Sequence, residues 1–127
     1  MQKLTNRATG YLLVLIAGVV LGASVTAANE QKAAYVIVSG TVLDADGMGP
    51  YREKAGPLAR AAGISVLARS EATLLEGEWP HPPTITIEKF DSMQALKDFW
   101  YSDGYQEAKK LRDGKFKADF IVAVEAI

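Results

Sequence analysis

The side chains able to do chemistry crowd into one short stretch. "LLEGEWPHPPTITIEKF", Leu74 to Phe90, holds Glu76, Glu78, Glu88, Trp79 and the single histidine, His81. Arg69 stands just before it. A carboxylate in a sparingly hydrated space can have its pKa raised toward neutrality and act as a general base. An arginine nearby offers a rigid set of donors to an anionic ligand. Glu88 and Arg69 suit those two roles if their strands place them on one face. The competing reading is a salt bridge inside an interface, because buried charges need partners.

The other groups carry weaker signals. His81 titrates near neutral pH and could shuttle protons, but "WPHPPT" reads first as an exposed hairpin tip. One histidine without any cysteine makes a poor metal site. Glu76 and Glu78 flank Gly77 and read as solvated turn charges, with an acid–base pair as the alternative. Trp79 reads as a packing anchor for the tip or as a lid over a cavity mouth. Tyr35, Ser39, Thr41 and Thr86 can hydrogen-bond a small molecule, or be satisfied by a partner chain. Trp100, Tyr101 and Tyr105 recur at helical spacing and read as core. The basic run at 109–117 reads as a solvated helix end, since cations favour helix C-termini. No phosphate loop or nucleophile triad stands out, and no cofactor or metal is expected.

Composition sets the outer limits. The chain has 127 residues. Lys3 and Arg7 are followed by no charge from Ala8 to Asn29, and the apolar middle ends in small residues. That pattern is a secretory signal over 1–28, with cleavage after Ala27 or Ala28. The alternative is an uncleaved inner-membrane anchor, the only way in which a membrane would be a partner. Either way the domain is expected outside the cytoplasm, in the periplasm or secreted. Loss of Lys3 and Arg7 lowers the 14 basic residues to 12, against 15 acidic, a net charge of −3. Such a balance argues against nucleic acid. With no cysteine, thiol chemistry and disulfides are excluded. A short chain without staples gains burial by pairing.

The elements that would position these groups follow. After a linker over 29–33, residues 33–44 are rich in Val, Ile, Tyr and Thr and read as a strand, followed by a turn over 45–50. Tyr51, Ala55, Leu58, Ala59 and Ala62 mark one helical face. Gly63 stands as its C-terminal cap, and Pro57 is expected to kink or split it. Residues 64–70 form a second strand that continues through 71–77, and 83–90 form a third, making a long hairpin. A helix over 91–100 has Asp91 or Ser92 as its cap, and a second starts at Ser102 and stops at Gly114. Residues 117–127 form the last strand. Strand, helix, strand, strand, helix, strand is the α+β ferredoxin-like order, here over 34–127.

Alternation along the strands sorts the side chains into two sets. Val36, Val38, Val42, Ile64, Val66, Ala68, Ile85, Ile87, Phe120, Val122 and Val124 are almost wholly apolar and are assigned to the face beneath the helices. Tyr35, Ile37, Ser39, Thr41, Ser65, Leu67, Arg69, Thr84, Thr86, Glu88, Phe90, Asp119, Ile121, Ala123 and Glu125 form a mixed face. That face is too apolar for solvent and too polar for a plain core. A second copy packed sheet to sheet would cover it. A homodimer enclosing a partly polar, ligand-sized space is therefore expected.

Two segments carry a family resemblance: "AYVIVSGTV", and "LLEGEWPHPPTITIEKFDSMQALKDFWYSDGYQEAKKLR". Leu75-Glu76-Gly77, Trp79-Pro80, Glu88-Lys89-Phe90, Ser92, Trp100, Ser102 and Tyr105 are its most specific positions. The chain resembles the domain of unknown function 1330 family, over roughly 34–126. That family lies within the dimeric α/β-barrel superfamily. The resemblance implies a ferredoxin-like subunit and a sheet-to-sheet dimer. It supplies no activity, since a fold does not fix a function. Thr84 stands where members of the family often carry an arginine.

The first reading is thus an exported homodimer holding a small molecule between its sheets, bound by Arg69, Glu88, Thr86, Tyr35, Ser39 and Trp79. An enzyme resembling the cofactor-poor or haem-using monooxygenases and isomerases of the wider superfamily, with Glu88 as its catalytic group, is one alternative. A purely structural dimer is the other.

Overall fold

The computed structural model describes residues 30–79 and 83–127. The segment read as a signal, and His81 with its flanking Pro80 and Pro82, lie outside the described residues. Seven elements follow in order: β1 (Ala34–Val42), α1 (Gly49–Ala61), β2 (Ser65–Glu71), β3 (Thr84–Phe90), α2 (Met93–Trp100), α3 (Asp103–Lys110) and β4 (Phe116–Glu125). The strands form one sheet in the order β2-β3-β1-β4, and every neighbouring pair is antiparallel. This is the ferredoxin-like α+β fold. Among the described residues no helix is long and apolar enough to cross a membrane.

Local chemistry accounts for the element ends. Ser92 accepts a hydrogen bond from the Ala95 amide at 3.0 Å, capping α2. Ser102 does the same for the Tyr105 amide at 3.3 Å and starts α3 as a separate helix. Gly63 takes a positive φ of 69°. It donates to Arg60 O while Ile64 donates to Ala59 O, both at 3.1 Å. That paired arrangement closes the C-terminus of α1. α1 is not split at Pro57. Pro57 and Glu53, whose carbonyl loses its partner, are both exposed, so water can satisfy the freed oxygen.

β2 is shorter than the alternation predicts. It ends at Glu71, and 72–79 are irregular, joined to the sheet by an Ala72 amide to Pro83 O bond of 3.1 Å. Gly77, at φ +90°, turns the chain away, and Leu75 is 93% exposed.

The core lies between the sheet and the helices. Ala34, Val36, Phe90 and Leu96 form one buried cluster, joined by Val38, Ile64, Met93, Phe99 and Ile121. Ala55, Tyr105 and Ala108 form a second between α1 and α3. Phe99 links them, with ring centroids 5.7 Å from Phe90 and 4.5 Å from Tyr105.

The register corrects the expected faces. Val36 pairs with Glu88, and Val38 with Thr86. Directly paired residues share a face, so Glu88 and Thr86 lie under the helices with Val36, Val38 and Phe90. Ile121 pairs with Val38, and Ala123 with Val36, so these also face the helices. Arg69 pairs with Thr86 across a bulge between Val66 and Ala68 and joins them. Ile85, Ile87, Phe120, Val122 and Val124 occupy the opposite, open face with Tyr35 and Ile37. Phe120, Val122 and Val124 are 42–45% exposed. Each strand alternates as expected, but β3, β4 and the end of β2 are turned over. The most apolar set is the one that its own helices leave uncovered.

A second bulge falls between Ser39 and Gly40. It leaves Asp119 unpaired in the ladder, and Ser39 Oγ donates to Asp119 Oδ2 at 3.0 Å. A Cβ on Gly40 would collide with the Phe116 ring and lie 2.6 Å from Lys117 O.

Candidate functional site

The polar residues on the covered face end in a cleft. It lies between the sheet and the helices of one subunit and has a volume of about 270 Å³. The sheet contributes Val38, Arg69, Thr86, Glu88 and Ile121, and the helical layer contributes Tyr51, Arg52, Trp100, Tyr105 and Arg112. Met48 and Phe116 also line it.

Glu88 is the carboxylate of this cleft. Burial raises its pKa above the ordinary 4.5, and the Arg69 and then the Arg112 charges pull the other way. The burial influence is the largest. Among the described residues the one salt bridge joins Glu107 and Lys110, on the surface, so no ion pair quenches Glu88. Arg69 turns its Nε toward Thr86 Oγ1, a long contact of 3.4 Å. The salt bridge weighed for Arg69 and Glu88 is therefore absent, and both side chains keep polar capacity for something else.

The helical wall adds a hydroxyl pair. Tyr51 and Tyr105 approach to 3.3 Å between their Oη atoms. Burial, and then the neighbouring Tyr51, push the Tyr105 phenol well above its usual range. It stays protonated and can donate. Arg112 stacks over Tyr51 and Phe116, its Cζ 5.4 Å from each ring centroid. Trp100 and Tyr105 pack with centroids 5.2 Å apart.

Chemically the arrangement combines a carboxyl poised toward neutral form, two arginines acting on it, two phenols and an apolar wall. It can hold a small molecule, accept a proton at Glu88 and donate hydrogen bonds from the arginines and phenols. Among the described residues no group of three or more His, Asp or Glu side chains is placed to hold a metal.

A family model described as "Domain of unknown function (DUF1330)" matches residues 33–126. The chain belongs to the DUF1330 family. Comparison with curated proteins finds no match. Among solved structures, this DUF1330 chain is similar to a protein of unknown function from Rhodopseudomonas palustris. The TM-score is 0.60 at 15% identity, covering 76% of this chain and 84% of that one. The methylated form of that protein gives a TM-score of 0.61 at 15% identity, with 76% and 82% covered. A protein from Arabidopsis thaliana gives 0.50 at 10% identity, with 75% and 93% covered. At these identities the likeness concerns the fold.

In this DUF1330 chain the structure brings some of the expected site residues together and separates others. Arg69, Thr86 and Glu88 do come together, but beneath the helices rather than between two sheets. Tyr35 lies on the open face, Ser39 is spent on Asp119, and Trp79 does not line the cleft. Glu76 and Glu78 are exposed, as solvated turn charges are. Tyr101 is 72% exposed rather than core. Tyr51, Arg112 and the cleft side of Tyr105 were missed as site residues. Tyr51 looked like one position of an apolar helix face, and Arg112 like one charge in a basic run. A usable signal did exist. Tyr105 falls on the buried face of α3 with Ala108, so its hydroxyl needed a buried partner.

Proposed function

We propose that this chain is an exported homodimer that binds a small molecule in a cleft inside each subunit. The reading rests chiefly on one observation: Glu88, Arg69 and Arg112 converge on a cleft of about 270 Å³ and form no ion pair with one another. A desolvated carboxylate such as the half-buried Glu88 is normally held by a close partner, whereas Arg69 stands exposed at the cleft edge. Here they remain available to a ligand.

The dimer rests on the open face. Tyr35, Ile37, Ile85, Ile87, Phe120, Val122 and Val124 make a continuous apolar surface across three strands. Surfaces of that character on soluble chains mark interaction sites. Sheets pack face to face through such side chains, and a second copy supplies the same surface. Export rests on the basic start and the uncharged run from Ala8 to Asn29, and places the domain in the periplasm or outside the cell.

A catalytic reading has its own support. The raised Glu88 pKa suits a general base, with a Tyr105 phenol that stays protonated beside it. Proton transfer on the bound molecule, as in an isomerase or a cofactor-independent oxygenase, would use both.

Native mass spectrometry of the mature protein from its own envelope tests the proposal. The expected result is a dimer of chains starting after Ala27 or Ala28, carrying a reproducible added mass that Glu88→Gln reduces. A monomer would remove the dimer, and a full-length chain would remove signal cleavage. A ligand-free dimer whose cleft also takes up no added small molecule would remove the binding reading. Retained turnover of the identified ligand in Glu88→Gln would dismiss the catalytic version alone.

A further inference from the structure

We infer that the cleft takes a small organic carboxylate with a flat or compact apolar body, its charged end held between Arg69 and Arg112. This rests on the cleft-binding reading above and names the ligand class for it.

Charge is the first ground. The whole chain is slightly acidic, with a formal net charge of −1, yet the cleft collects Arg52, Arg69 and Arg112 against the single carboxylate Glu88. Three cations and one anion leave an excess of two positive charges at one concave place. Concavity with low-dielectric walls focuses such an excess on an incoming anion. The arginines are also unspent. Arg69 makes one long contact to Thr86, Arg112 lies against two rings, and neither has a salt-bridge partner among the described residues. A guanidinium with free donors matches a carboxylate in two parallel hydrogen bonds.

Position is the second ground. Arg69 comes from the sheet and Arg112 from the turn after α3, so they approach from opposite layers. Both line the cleft together with Glu88, and the charges of both reach it. An anion in the cleft would answer both at once, with Trp100 and Ile121 among the apolar side chains left for its body.

Size is the third ground. A volume of about 270 Å³ exceeds the ~150 Å³ cavity that accepts benzene. It falls short of the ~300–1,000 Å³ typical of drug-sized ligands. A single ring or a short branched chain bearing one carboxylate fits between those limits.

The test compares benzoate with benzamide, its uncharged near-isostere, by titration calorimetry on the mature dimer. Trp100 fluorescence in a Trp79→Phe background locates the binding. Benzoate should bind at least about tenfold more tightly than benzamide, the scale of one charge-assisted hydrogen bond. Arg69→Gln and Arg112→Gln should each lower benzoate affinity by about that factor and leave benzamide unmoved. Arg69→Lys, which keeps the charge and loses the fork, should recover part of the loss and shows that the scaffold is intact. Equal affinity for the two probes would overturn the carboxylate inference and leave the cleft-binding reading standing. Benzoate affinity unchanged in both glutamine variants would place the anion elsewhere and also overturn it. Failure of both probes to bind at millimolar concentration would count against the cleft-binding reading itself.

Discussion

Beneath its helices the sheet presents Arg69, Thr86 and Glu88; on its other side it presents Ile37, Ile87, Phe120 and Val122. A two-layer domain would normally reverse this, with charges toward water and branched apolar side chains toward the helices. The inversion separates two ideas that are easily merged. How apolar a face is reports whether something covers it in the working assembly. It does not report whether the chain's own helices are the cover. Polar groups under the helices, for their part, mark the place where packing gives way to a cavity.

Charge on the open face should break the comparison most severely. In the proposed dimer Val122→Asp puts two unpaired carboxylates into a symmetric interface. One such burial costs about 3–5 kcal/mol, so self-association should weaken by at least about 100-fold, as measured by light scattering over a dilution series. Undiminished association would place the interface elsewhere. On the covered face Leu96→Ala should cost about 2–5 kcal/mol by urea unfolding, because Leu96 packs on Val36 and Phe90. Val122→Ala should cost far less in dilute monomer, since its side chain is already 44% exposed. Equal losses would mean that the two faces are alike in the monomer.

Glu88 sharpens the contrast through pH. Its folded pKa lies above 4.5, so between 4.5 and the folded value the folded chain binds more protons than the unfolded one. Stability must then fall as pH rises through that window. Glu88→Gln removes the loss. Its melting temperature should exceed the parent's above the window and converge with it below pH 4.5. Superimposable melting curves across the range would deny that Glu88 is buried. The smallest effect should come from Tyr51→Phe, which deletes the 3.3 Å hydroxyl contact with Tyr105. A net cost near the low end of ~0.5–1.5 kcal/mol is expected. Calorimetric melting would register it, and a loss of several kcal/mol would mean that the hydroxyl holds more than one partner.

Much of this was legible from local patterns. Strand order along the chain, the Ser92 cap, the restart at Ser102 and the stop at Gly63 each depend on a few neighbouring residues. Arg69, Thr86 and Glu88 were placed on a common face by simple alternation, yet it is the bulge between Val66 and Ala68 that sets Arg69 opposite Thr86 while Val66 pairs with Glu88. What alternation cannot say is which face is turned to the helices. The more apolar set was assigned inward, and for β3 and β4 that choice was reversed by their register against β1. The bulges at Val66/Ala68 and Ser39/Gly40 shift phase again without any marker beyond a glycine. Arg112 and Tyr51 sit far from Glu88 in sequence. Only the packing of α1 against α3 delivers them to the same cleft.

Gly40 ties variation at two positions together. Gly40 does not line the cleft, yet any side chain there must displace both the Phe116 ring and the Lys117 carbonyl, and Phe116 lines the cleft. The two sites are therefore epistatic. Gly40→Ala alone should be poorly tolerated, and a smaller residue at 116 relieves only the ring contact, leaving the Lys117 carbonyl 2.6 Å from the new Cβ. A change at Gly40 thus reaches the cleft wall through Phe116, and a screen confined to lining residues would never find it.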